Sequence, residues 1–430
     1  MKLLLSIFFL FVTIKLSAQE KTFLKEYTYK ASEMDSKISC RAITINQLRS
    51  QLLHEVGVYV QSEQLLKTVE VEGKFQQDFI ENISTLSAGI TKLIVLEENW
   101  NGESFWMKAS ITIDEKSLEE SLKQLINDRQ KVKELEEIKQ QLNNATREID
   151  KLRKELTVGN KESDRVSQKQ QAEKYNNEIN TLIAGDYILS GNAKFFLEDF
   201  RGAIEDYTKS IEIDSNALAY CNRGSSKSEL HDGRGAIEDF TKAIEIDPNL
   251  ALAYYNRGTS RHYFQDHRGG LADFTKAIEI NPNYANAYNN RGGSKSELHD
   301  YRGAIEDFTK AIVLNPNDAE AYYNRGLSKN KLQDYQGAIM DFTKAIVLNP
   351  NDAEAYYNRG VSKYYLLDHR GAIADYTKSI ALNSNHAKAY YSRGLSKFQL
   401  NQKDSACLDF SKAGELGYED AYEAIRKLCQ

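Results

Sequence analysis

The sequence has few of the residues that bind metals, form disulfide frameworks or interrupt helices. Four cysteines and four prolines occur in 430 residues. The cysteines are Cys40, Cys221, Cys407 and Cys429, and no two of them have the short spacing of a zinc knuckle or of a disulfide-dense scaffold. No two of the seven histidines form the i, i+4 helical pair with an intervening glutamate that a zinc hydrolase needs. We therefore predict no metal site and no cofactor.

Catalytic and membrane motifs are also missing. The sequence has no glycine-rich phosphate loop ending in Lys-Ser or Lys-Thr, and no Gly-x-Ser-x-Gly elbow. No second apolar stretch of membrane length follows the N-terminal one. The formal net charge is -6, which disfavours nucleic acid and anionic lipid as partners. These absences predict a protein that is not an enzyme, binds no nucleic acid and has no stable membrane insertion.

The N-terminus has the features of an export signal. Residues 1–18 contain an early lysine, an apolar core over residues 3–14, and small residues at the end. This pattern is typical of a secretory signal peptide, and its core is too short to span a bilayer comfortably. An uncleaved anchor is the alternative, because Lys15 interrupts the apolar stretch. We expect an exported, periplasmic or extracellular protein whose mature chain begins at Gln19.

Residues 19–115 differ from the rest in their hydrophobic pattern and predict a small α+β domain. Apolar residues at steps of three and four predict helices, and β-rich stretches flanking Asn101-Gly102 predict a hairpin. The predicted elements are helices over residues 36–56 and 75–86, and strands over residues 92–100 and 104–114. With Trp100 before the turn and Phe105-Trp106-Met107 after it, this order is similar to the N-terminal domain of bacterial flagellar assembly protein T. The resemblance implies no catalytic residues.

Residues 116–180 are rich in charged and amide side chains and predict a coiled-coil or helical linker. The aliphatic stripe follows alternating steps of three and four: Leu135, Ile138, Leu142, Ala145, Ile149, Leu152 and Leu156. Opposite charges beside the stripe favour a parallel homodimer through residues 135–156. The alternative is a single amphipathic helix packed on its own domain. The polar stretch from residue 159 to residue 175 predicts a flexible or frayed linker.

The remainder of the chain is a repeat of 34 residues. Six glycines, each preceded by arginine, recur at this spacing: Gly224, Gly258, Gly292, Gly326, Gly360 and Gly394. A fixed period of this size indicates a solenoid of stacked supersecondary units. We divide residues 184–420 into seven repeats: 184–216, 217–250, 251–284, 285–318, 319–352, 353–386 and 387–420. Residues 421–430 predict a C-terminal capping helix that covers the last repeat.

The repeat resembles the tetratricopeptide repeat (TPR). In repeat five, counting Ala319 as position 1, the pattern residues stand at positions 4, 8, 20, 24, 27 and 32: Tyr322, Gly326, Ala338, Phe342, Ala345 and Pro350. The resemblance implies an antiparallel helix pair in each repeat, with neighbouring pairs burying each other's apolar faces. The predicted fold is mainly α: an α-solenoid of seven TPR helix pairs, preceded by a small α+β domain and a coiled-coil helix.

The resemblance also implies where a ligand would bind, because the first helices of TPR pairs line the concave face. Position 6 carries a ladder of amides at Asn222, Asn256, Asn290, Asn324 and Asn358. Amide groups can bond the backbone of an extended peptide, and this ladder resembles the one in O-linked N-acetylglucosamine transferase. Side-chain pockets are predicted from Tyr323, Tyr357 and Tyr391 at position 5 and from Leu327, Val361 and Leu395 at position 9. The alternatives are asparagines kept by duplication and tyrosines that only pack between helices.

Two contacts within the array are predicted as well. Arginine occupies position 7 in repeats two to seven, and aspartate occupies position 23 in every repeat. We expect each arginine to meet the aspartate of the preceding repeat, because the first repeat has no predecessor and carries Ser190 in place of arginine. Cys407 and Cys429 could form a disulfide that ties the capping helix down, the alternative being two buried thiols.

The sequence thus favours an exported, non-enzymatic scaffold or adaptor that binds an extended peptide or a partner protein in the concave TPR groove. The alternatives are a structural envelope component without a free peptide ligand and an accessory subunit of an enzyme complex. The sequence does not identify the partner.

Overall fold

The structure is a computed structural model that describes residues 20–33, 35–62, 87, 91–114, 118, 129–158 and 165–429. The described residues are mainly helical, with an α-solenoid of helix pairs after a small N-terminal domain that contains a three-stranded sheet. The predicted fold class is therefore confirmed. The predicted signal peptide and the helix predicted over residues 75–86 lie outside the described residues. The chain forms two compact units, residues 1–246 and residues 247–430.

The sheet of the N-terminal domain has three antiparallel strands. They are β1 (Glu20–Lys30), β2 (Leu93–Trp100) and β3 (Ser104–Asp114), in the order β1-β3-β2. β2 and β3 form a hairpin at the predicted position, where Gly102 has a φ of 96° and the Asn101 side chain accepts hydrogen bonds from two backbone N–H groups. β1 was not predicted, because Lys25 shares a side with Phe23 and Tyr27 while Leu24 is on the other side, so apolar and polar residues do not alternate strictly.

The first helix, α1 (Lys37–Ser62), packs against β1 and β3. Its apolar residues at helical spacing, Leu48, Leu52 and Val56, are completely buried. On β3, alternate residues from Phe105 to Ile111 are also completely buried, because side chains of a strand alternate between its two faces. This helix and one face of the sheet form the core of the N-terminal domain.

Two long helices follow, α2 (Arg129–Val158) and α3 (Arg165–Phe196), and they pack against each other. The residues of the aliphatic stripe from Leu135 to Leu152 are all less than 9% exposed in the single chain. Gly185 of α3 leaves the space that the Leu142 side chain occupies. The Asn46 amide of α1 donates a hydrogen bond to the Thr146 hydroxyl of α2. The stripe is therefore covered by the chain's own helices, as the alternative of a helix packed on its own domain expects, and the parallel homodimer stays a prediction.

The linker predicted before residue 175 is corrected, because α3 begins at Arg165 and runs into the first repeat. Its residues Tyr175, Ile179 and Leu182 are at most 5% exposed. Tyr175 donates a hydrogen bond to Asp35, whose side chain also pairs with Arg153 of α2 at 3.3 Å. Burial of this face stabilises a helix that its polar composition alone does not indicate. The first helix of repeat one is thus the end of a 32-residue helix.

The remaining helices form the repeats, two to each repeat. Within residues 1–246 they are α4 (Phe200–Ile213), α5 (Ala217–Glu229) and α6 (Gly233–Ile246). Within residues 247–430 they are α7 (Ala251–Tyr263), α8 (His267–Ile280), α9 (Ala285–Glu297), α10 (Tyr301–Leu314), α11 (Ala319–Lys331), α12 (Tyr335–Leu348), α13 (Ala353–Tyr365), α14 (His369–Leu382), α15 (Ala387–Gln399) and α16 (Lys403–Glu415). The last helix, α17 (Asp420–Leu428), matches the predicted cap.

The turn between the two helices of a repeat has the same construction along the array. In repeat five, Gln333 adopts a left-handed φ of 63° and Asp334 caps α12 by accepting a hydrogen bond from the Gly337 N–H at 3.0 Å. His231 and His299 occupy the left-handed position of their own turns. After the turn, Phe342 of α12 packs on Gly326 of α11, where a Cβ atom would lie 2.8 Å from the ring. The small residue therefore allows the two helices to approach.

Each repeat also buries an aspartate between its two helices. In repeat five, Asp341 is 3% exposed. Its carboxylate accepts hydrogen bonds from Nε and Nη2 of Arg325 at 2.9 and 2.6 Å and pairs with Nζ of Lys329 at 2.8 Å. We call this group the aspartate cluster. The partner predicted for the arginine was wrong, because Arg325 and Asp341 belong to one repeat. Only Nη1 of Arg325 reaches the preceding repeat, where it donates to Thr309 at 3.1 Å.

The prediction failed because the period of the array does not distinguish a contact within a repeat from a contact between neighbouring repeats. Repeat one shows that the arginine is replaceable. Its Asp206 accepts a hydrogen bond from the Ser190 hydroxyl at 2.6 Å and pairs with Lys194 at 2.7 Å. The buried carboxylate is thus compensated in the first repeat too.

The C-terminal end is closed by a helix and a disulfide. α17 packs on α16, and Cys407 and Cys429 are bonded with a Cα–Cα separation of 5.7 Å. The structure therefore has the bridge that the sequence analysis left open. Cys40 and Cys221 are buried thiols.

Candidate functional site

Within residues 247–430, the first helices of the repeats line the inner side of the array. Successive first helices contact one another, from α7 through α9, α11 and α13 to α15, more than successive second helices do. A stack in which one set of helices lies closer together curves toward that set. We call the surface of α7, α9, α11, α13 and α15 that carries positions 5, 6 and 9 the concave face.

The asparagines of this face are bonded within the array more than predicted. The amide nitrogen of Asn290 donates to the hydroxyls of Tyr255 at 3.2 Å and Thr259 at 3.3 Å, both in the preceding repeat. The amide nitrogen of Asn358 donates to the Tyr323 hydroxyl at 3.0 Å and to the Glu354 carbonyl at 2.9 Å. The prediction that these amides offer both donors and acceptors to a peptide is therefore corrected. Their amide oxygens form no hydrogen bond with another described residue.

The other three asparagines differ from these two. Asn222, in residues 1–246, is 2% exposed and donates to Asn192 at 3.1 Å, so it is a buried residue and not a surface ligand. Asn256 is half-buried and has an interaction within the protein. Asn324 is half-buried, and its side chain forms no hydrogen bond with any residue that the structure describes. The ladder is regular in sequence but not in its bonding.

Tyr323 and Tyr357 combine packing with bonding. Their rings lie 5.7 Å from Phe342 and Tyr376, the aromatic residues at position 24 of their own repeats. Burial, together with the nearby acidic Glu354 and Asp352, raises the pKa of Tyr323 to about 12. The hydroxyl therefore stays protonated at neutral pH and can accept from Asn358. Tyr323 thus packs between helices, as the alternative to a binding pocket expects, and also contacts Asn358 of the next repeat.

The aliphatic residues at position 9 of repeats five to seven are all half-buried but differ in what they contact. Leu327 and Val361 are half-buried on α11 and α13. Tyr391 and Leu395 of α15 instead pack on the cluster formed by Ala406, Phe410 and Ala424. Because Ala424 lies on α17, the capping helix takes part in covering these two predicted binding residues. Leu327 and Val361, in repeats five and six, lie outside this cluster.

Repeat four interrupts the face, and the sequence analysis missed this. Position 5 is Asn289 and position 9 is Gly293, where repeat three has Tyr255 and Thr259. Asn289 is 7% exposed, and its side-chain oxygen has no hydrogen-bond partner among the described residues. A Cβ atom at Gly293 would meet no atom within 4 Å. Aligning position 5 through all repeats would have revealed the exception.

The described residues form no recognised metal site and no membrane-spanning helix. No group of three or more metal-binding side chains was found among them. None of the described helices has the length and apolar character needed to cross a membrane. The concave face is therefore the candidate functional site.

Family models match parts of the array. The tetratricopeptide repeat matches residues 187–216 and 217–250 and, in a second model of that description, residues 319–352. A TPR repeat model matches residues 297–333. These matches lie outside residues 19–115, so the similarity of that region to flagellar assembly protein T stays a prediction.

Several solved structures are similar to the chain. MamA is 29% identical over 41% of this chain and 94% of its own, with a TM-score of 0.37. YrrB, described as a TPR protein with an unusual peptide-binding site, is 25% identical over 44% of this chain and 98% of its own, with a TM-score of 0.41. A tetratricopeptide repeat protein from Parabacteroides merdae ATCC 43184 is 21% identical over 57% of this chain and 99% of its own, with a TM-score of 0.42. No curated protein matches the sequence.

Proposed function

We propose, from the premise that the chain carries tetratricopeptide repeats, that it is a non-enzymatic scaffold that binds an extended segment of another protein along its concave face. The repeats support protein binding in general, since stacked helix pairs build extended concave binding surfaces. The binding segment we assign is the surface of repeats four to six, within residues 285–386.

The observation that carries this proposal is the state of the asparagine amides. In Asn290 and Asn358 the nitrogens are bonded to neighbouring side chains, which orients each amide and leaves its oxygen without a partner among the described residues. Oxygens held in this way can accept hydrogen bonds from a peptide backbone at little ordering cost. Leu327 and Val361 add half-buried apolar surface between them. Such a face binds a strand-like segment by its backbone and by apolar side chains.

We further propose that the protein is exported. The N-terminal pattern of residues 1–18 motivates this proposal, and the Cys407–Cys429 disulfide supports it, because stable disulfides form in oxidising compartments. N-terminal sequencing of the protein from its native cells tests the proposal. A chain starting at Gln19 in the extracytoplasmic fraction is expected, and an intact Met1 on cytosolic protein would contradict export.

The binding proposal is tested by a double substitution, Leu327→Lys with Val361→Lys. The full-length protein and the variant are used to isolate cross-linked partners from native cells, and the peptide of the partner that cross-links to α11 or α13 is then synthesised. We expect isothermal titration to show at least tenfold weaker peptide binding to the variant, because two apolar contacts become desolvated charges.

Met340→Lys is the matched control, because Met340 is 68% exposed on α12 and lies away from the concave face. It should bind the peptide as the original protein does, and all three proteins should show the same helical circular dichroism. If the folded double variant keeps full affinity, the concave face is not the binding surface. The protein would then be better described as a structural component whose asparagines serve the array alone.

A further inference from the structure

The exposed side of the second helices carries a surface that differs from the concave face. In repeats four to six these helices are α10, α12 and α14, and the residues at positions 18, 22, 26 and 29 of each repeat are exposed on them. Steps of three and four residues place these positions on one face of a helix. We call the surface of α10, α12 and α14 that carries positions 18, 22, 26 and 29 the outer patch.

A change at position 29 distinguishes the outer patch from the repeats on either side of it. In repeat three, Lys276 at position 26 pairs with Glu279 at position 29, with a separation of 3.0 Å. In repeat seven, Lys412 pairs with Glu415 in the same way, also at 3.0 Å. Repeats four to six lack this glutamate and have aliphatic residues in its place: Val313, Val347 and Ala381. Their position-26 lysines have no ion-pair partner among the residues that the structure describes: Lys310, Lys344 and Lys378.

The charge of the outer patch is opposite to that of the whole chain. The exposed charged residues of α10, α12 and α14 are five cations and one acid, Glu306. The cations are Arg302, Lys310, Lys344, Arg370 and Lys378. The other acids of these helices are the buried aspartates at position 23, which are paired with cations of their own repeats. A chain with a formal net charge of -6 thus carries a cationic patch on three successive second helices.

Exposed aliphatic side chains lie among these cations. Val313, Met340 and Val347 are 66%, 68% and 66% exposed. Lys344 stands four residues after Met340 and three before Val347, so a cation and two aliphatic side chains share one face of α12. Valine is a poorer helix former than glutamate, and its presence at position 29 also gives up an ion pair. The stability of the isolated array therefore does not explain the two valines, whereas apolar surface beside polar groups is typical of interaction sites.

We propose that the outer patch binds an acidic segment of a partner protein, one that combines carboxylates with aliphatic side chains. The carboxylates of this segment pair with the position-26 lysines and take the place of the glutamates that repeats three and seven supply themselves. Its aliphatic side chains pack on Val313, Met340 and Val347 and remove their apolar surface from water.

An acidic protein segment fits the patch better than nucleic acid or a membrane does. A phosphate backbone would pair with the cations but offers no aliphatic side chains to the valines. The four exposed positions of each helix carry no aromatic side chain, the residue type on which bases stack and which anchors proteins at membrane interfaces. The outer patch lies on second helices and the concave face on first helices, so this inference goes beyond the proposed function and can fail separately from it.

The test uses the full chain and an acidic probe, an acetylated peptide of repeated Glu-Leu-Glu units that carries a neutral dye. Peptides of the same length built from Lys-Leu-Lys and from Glu-Ser-Glu units are the matched probes. Fluorescence anisotropy measures their binding. We expect the Glu-Leu-Glu peptide to bind at least tenfold more tightly than either matched peptide. Raising the salt from about 0.1 M to about 1 M should weaken its binding, because salt screens exposed charges.

Two double variants remove the two kinds of contact. Val313→Glu with Val347→Glu restores the residue type of repeats three and seven, so each new glutamate can pair with the lysine three residues before it. This variant should bind the acidic probe at least tenfold more weakly. Lys310→Gln with Lys344→Gln should bind the probe several-fold more weakly and with a smaller dependence on salt. Both variants should keep the helical circular dichroism of the original protein.

Tyr263→Glu with Tyr365→Glu is the matched control. It makes the same change of net charge as the two valine substitutions, at sites that are 78% and 58% exposed and lie on first helices, outside the outer patch. Repeats two and four already carry glutamate at this position, Glu229 and Glu297. The control should bind the acidic probe as the original protein does.

Unchanged probe binding in Val313→Glu with Val347→Glu, or equal binding of the Glu-Leu-Glu and Lys-Leu-Lys peptides, would overturn the inference. Tighter binding of an oligonucleotide or of phosphatidylglycerol vesicles than of the acidic peptide would also overturn it and assign the patch to phosphate groups. A dimer of the original protein in sedimentation velocity that the valine variant loses would assign the patch to a second copy of the chain instead. None of these outcomes bears on the concave face, whose own test uses substitutions on α11 and α13.

Discussion

Two regions of the array differ in how much they vary from repeat to repeat. One is the space between the two helices of a repeat, and the other is the concave face. Between the helices, each of the seven aspartates at position 23 is buried and paired with a lysine or arginine of its own repeat. On the concave face, position 5 changes from tyrosine to asparagine in repeat four, and the bonding of position 6 changes with it. The buried aspartate and its paired cation recur in all seven repeats, whereas the concave face differs from repeat to repeat.

The difference follows from where each region finds its partners. The aspartate of each cluster is paired with a cation of its own repeat, so every copy must supply such a cation or bury an unpaired charge. A residue on the concave face depends on the neighbouring repeat and on solvent or a ligand, so a change there is tolerated by the fold. Variation on that face is therefore informative about binding, whereas uniformity between the helices is informative about stability.

The largest expected effect comes from breaking an aspartate cluster. Asp341→Ala leaves Arg325 and Lys329 without their carboxylate, although their side chains are only 16% and 19% exposed. We expect the free energy of unfolding in urea to fall by about 3–5 kcal/mol, as for other buried pairs that lose one partner. Glu306→Ala, at an exposed site of α10, is the control and should stay within about 0.5 kcal/mol. Equal losses in both variants would show that the cluster is not needed.

A smaller effect is expected where the capping helix covers the concave face. Replacing Cys407 and Cys429 by serine opens a link between residues that are 22 apart in sequence, which removes about 3 kcal/mol in the loop-entropy estimate. Amide hydrogen exchange should accelerate in α17 and at Tyr391 and Leu395 of α15, while α13 keeps its protection. Unchanged exchange in α17 would mean that packing alone holds the cap.

The smallest effects separate the two regions at adjacent residues of α9. Gly292→Ala places a Cβ 2.8 Å from the Phe308 ring and should destabilise the protein by about 1–3 kcal/mol. Gly293→Ala meets open space in the middle of a helix and should stabilise it by about 0.5–1 kcal/mol. Thermal unfolding of the two variants measures both. If they shift the melting temperature in the same direction, the distinction between packed side and open face is wrong for this repeat.

Sequence reasoning worked best where a local pattern has one structural solution. The repeat boundaries follow from glycines in register, and the hairpin follows from Asn101-Gly102. It failed where the same pattern can pack against more than one partner. The stripe from Leu135 to Leu152 can pair with a second chain or with its own domain, and the structure packs it on α3. The start of α3 at Arg165 was missed because tertiary burial stabilises a helix whose sequence is polar.

The bonding of the candidate site differs from the prediction, and its role in binding stays a prediction. The amide nitrogens of Asn290 and Asn358 are bonded to other residues of the array, and Tyr391 and Leu395 pack on the capping cluster. A side chain's hydrogen-bond partners depend on distances between repeats, which a period in sequence does not contain.

By itself, the sequence determined that the chain is a mainly helical array of helix pairs, because the 34-residue period and the helix-packing glycines are written in every copy. The tertiary structure alone decided which aspartate each arginine meets, which asparagines keep a free oxygen and which cysteines are bonded. The physical reason is that periodicity specifies the local helix pair, whereas side-chain partners are selected by the spacing and rotation of neighbouring repeats.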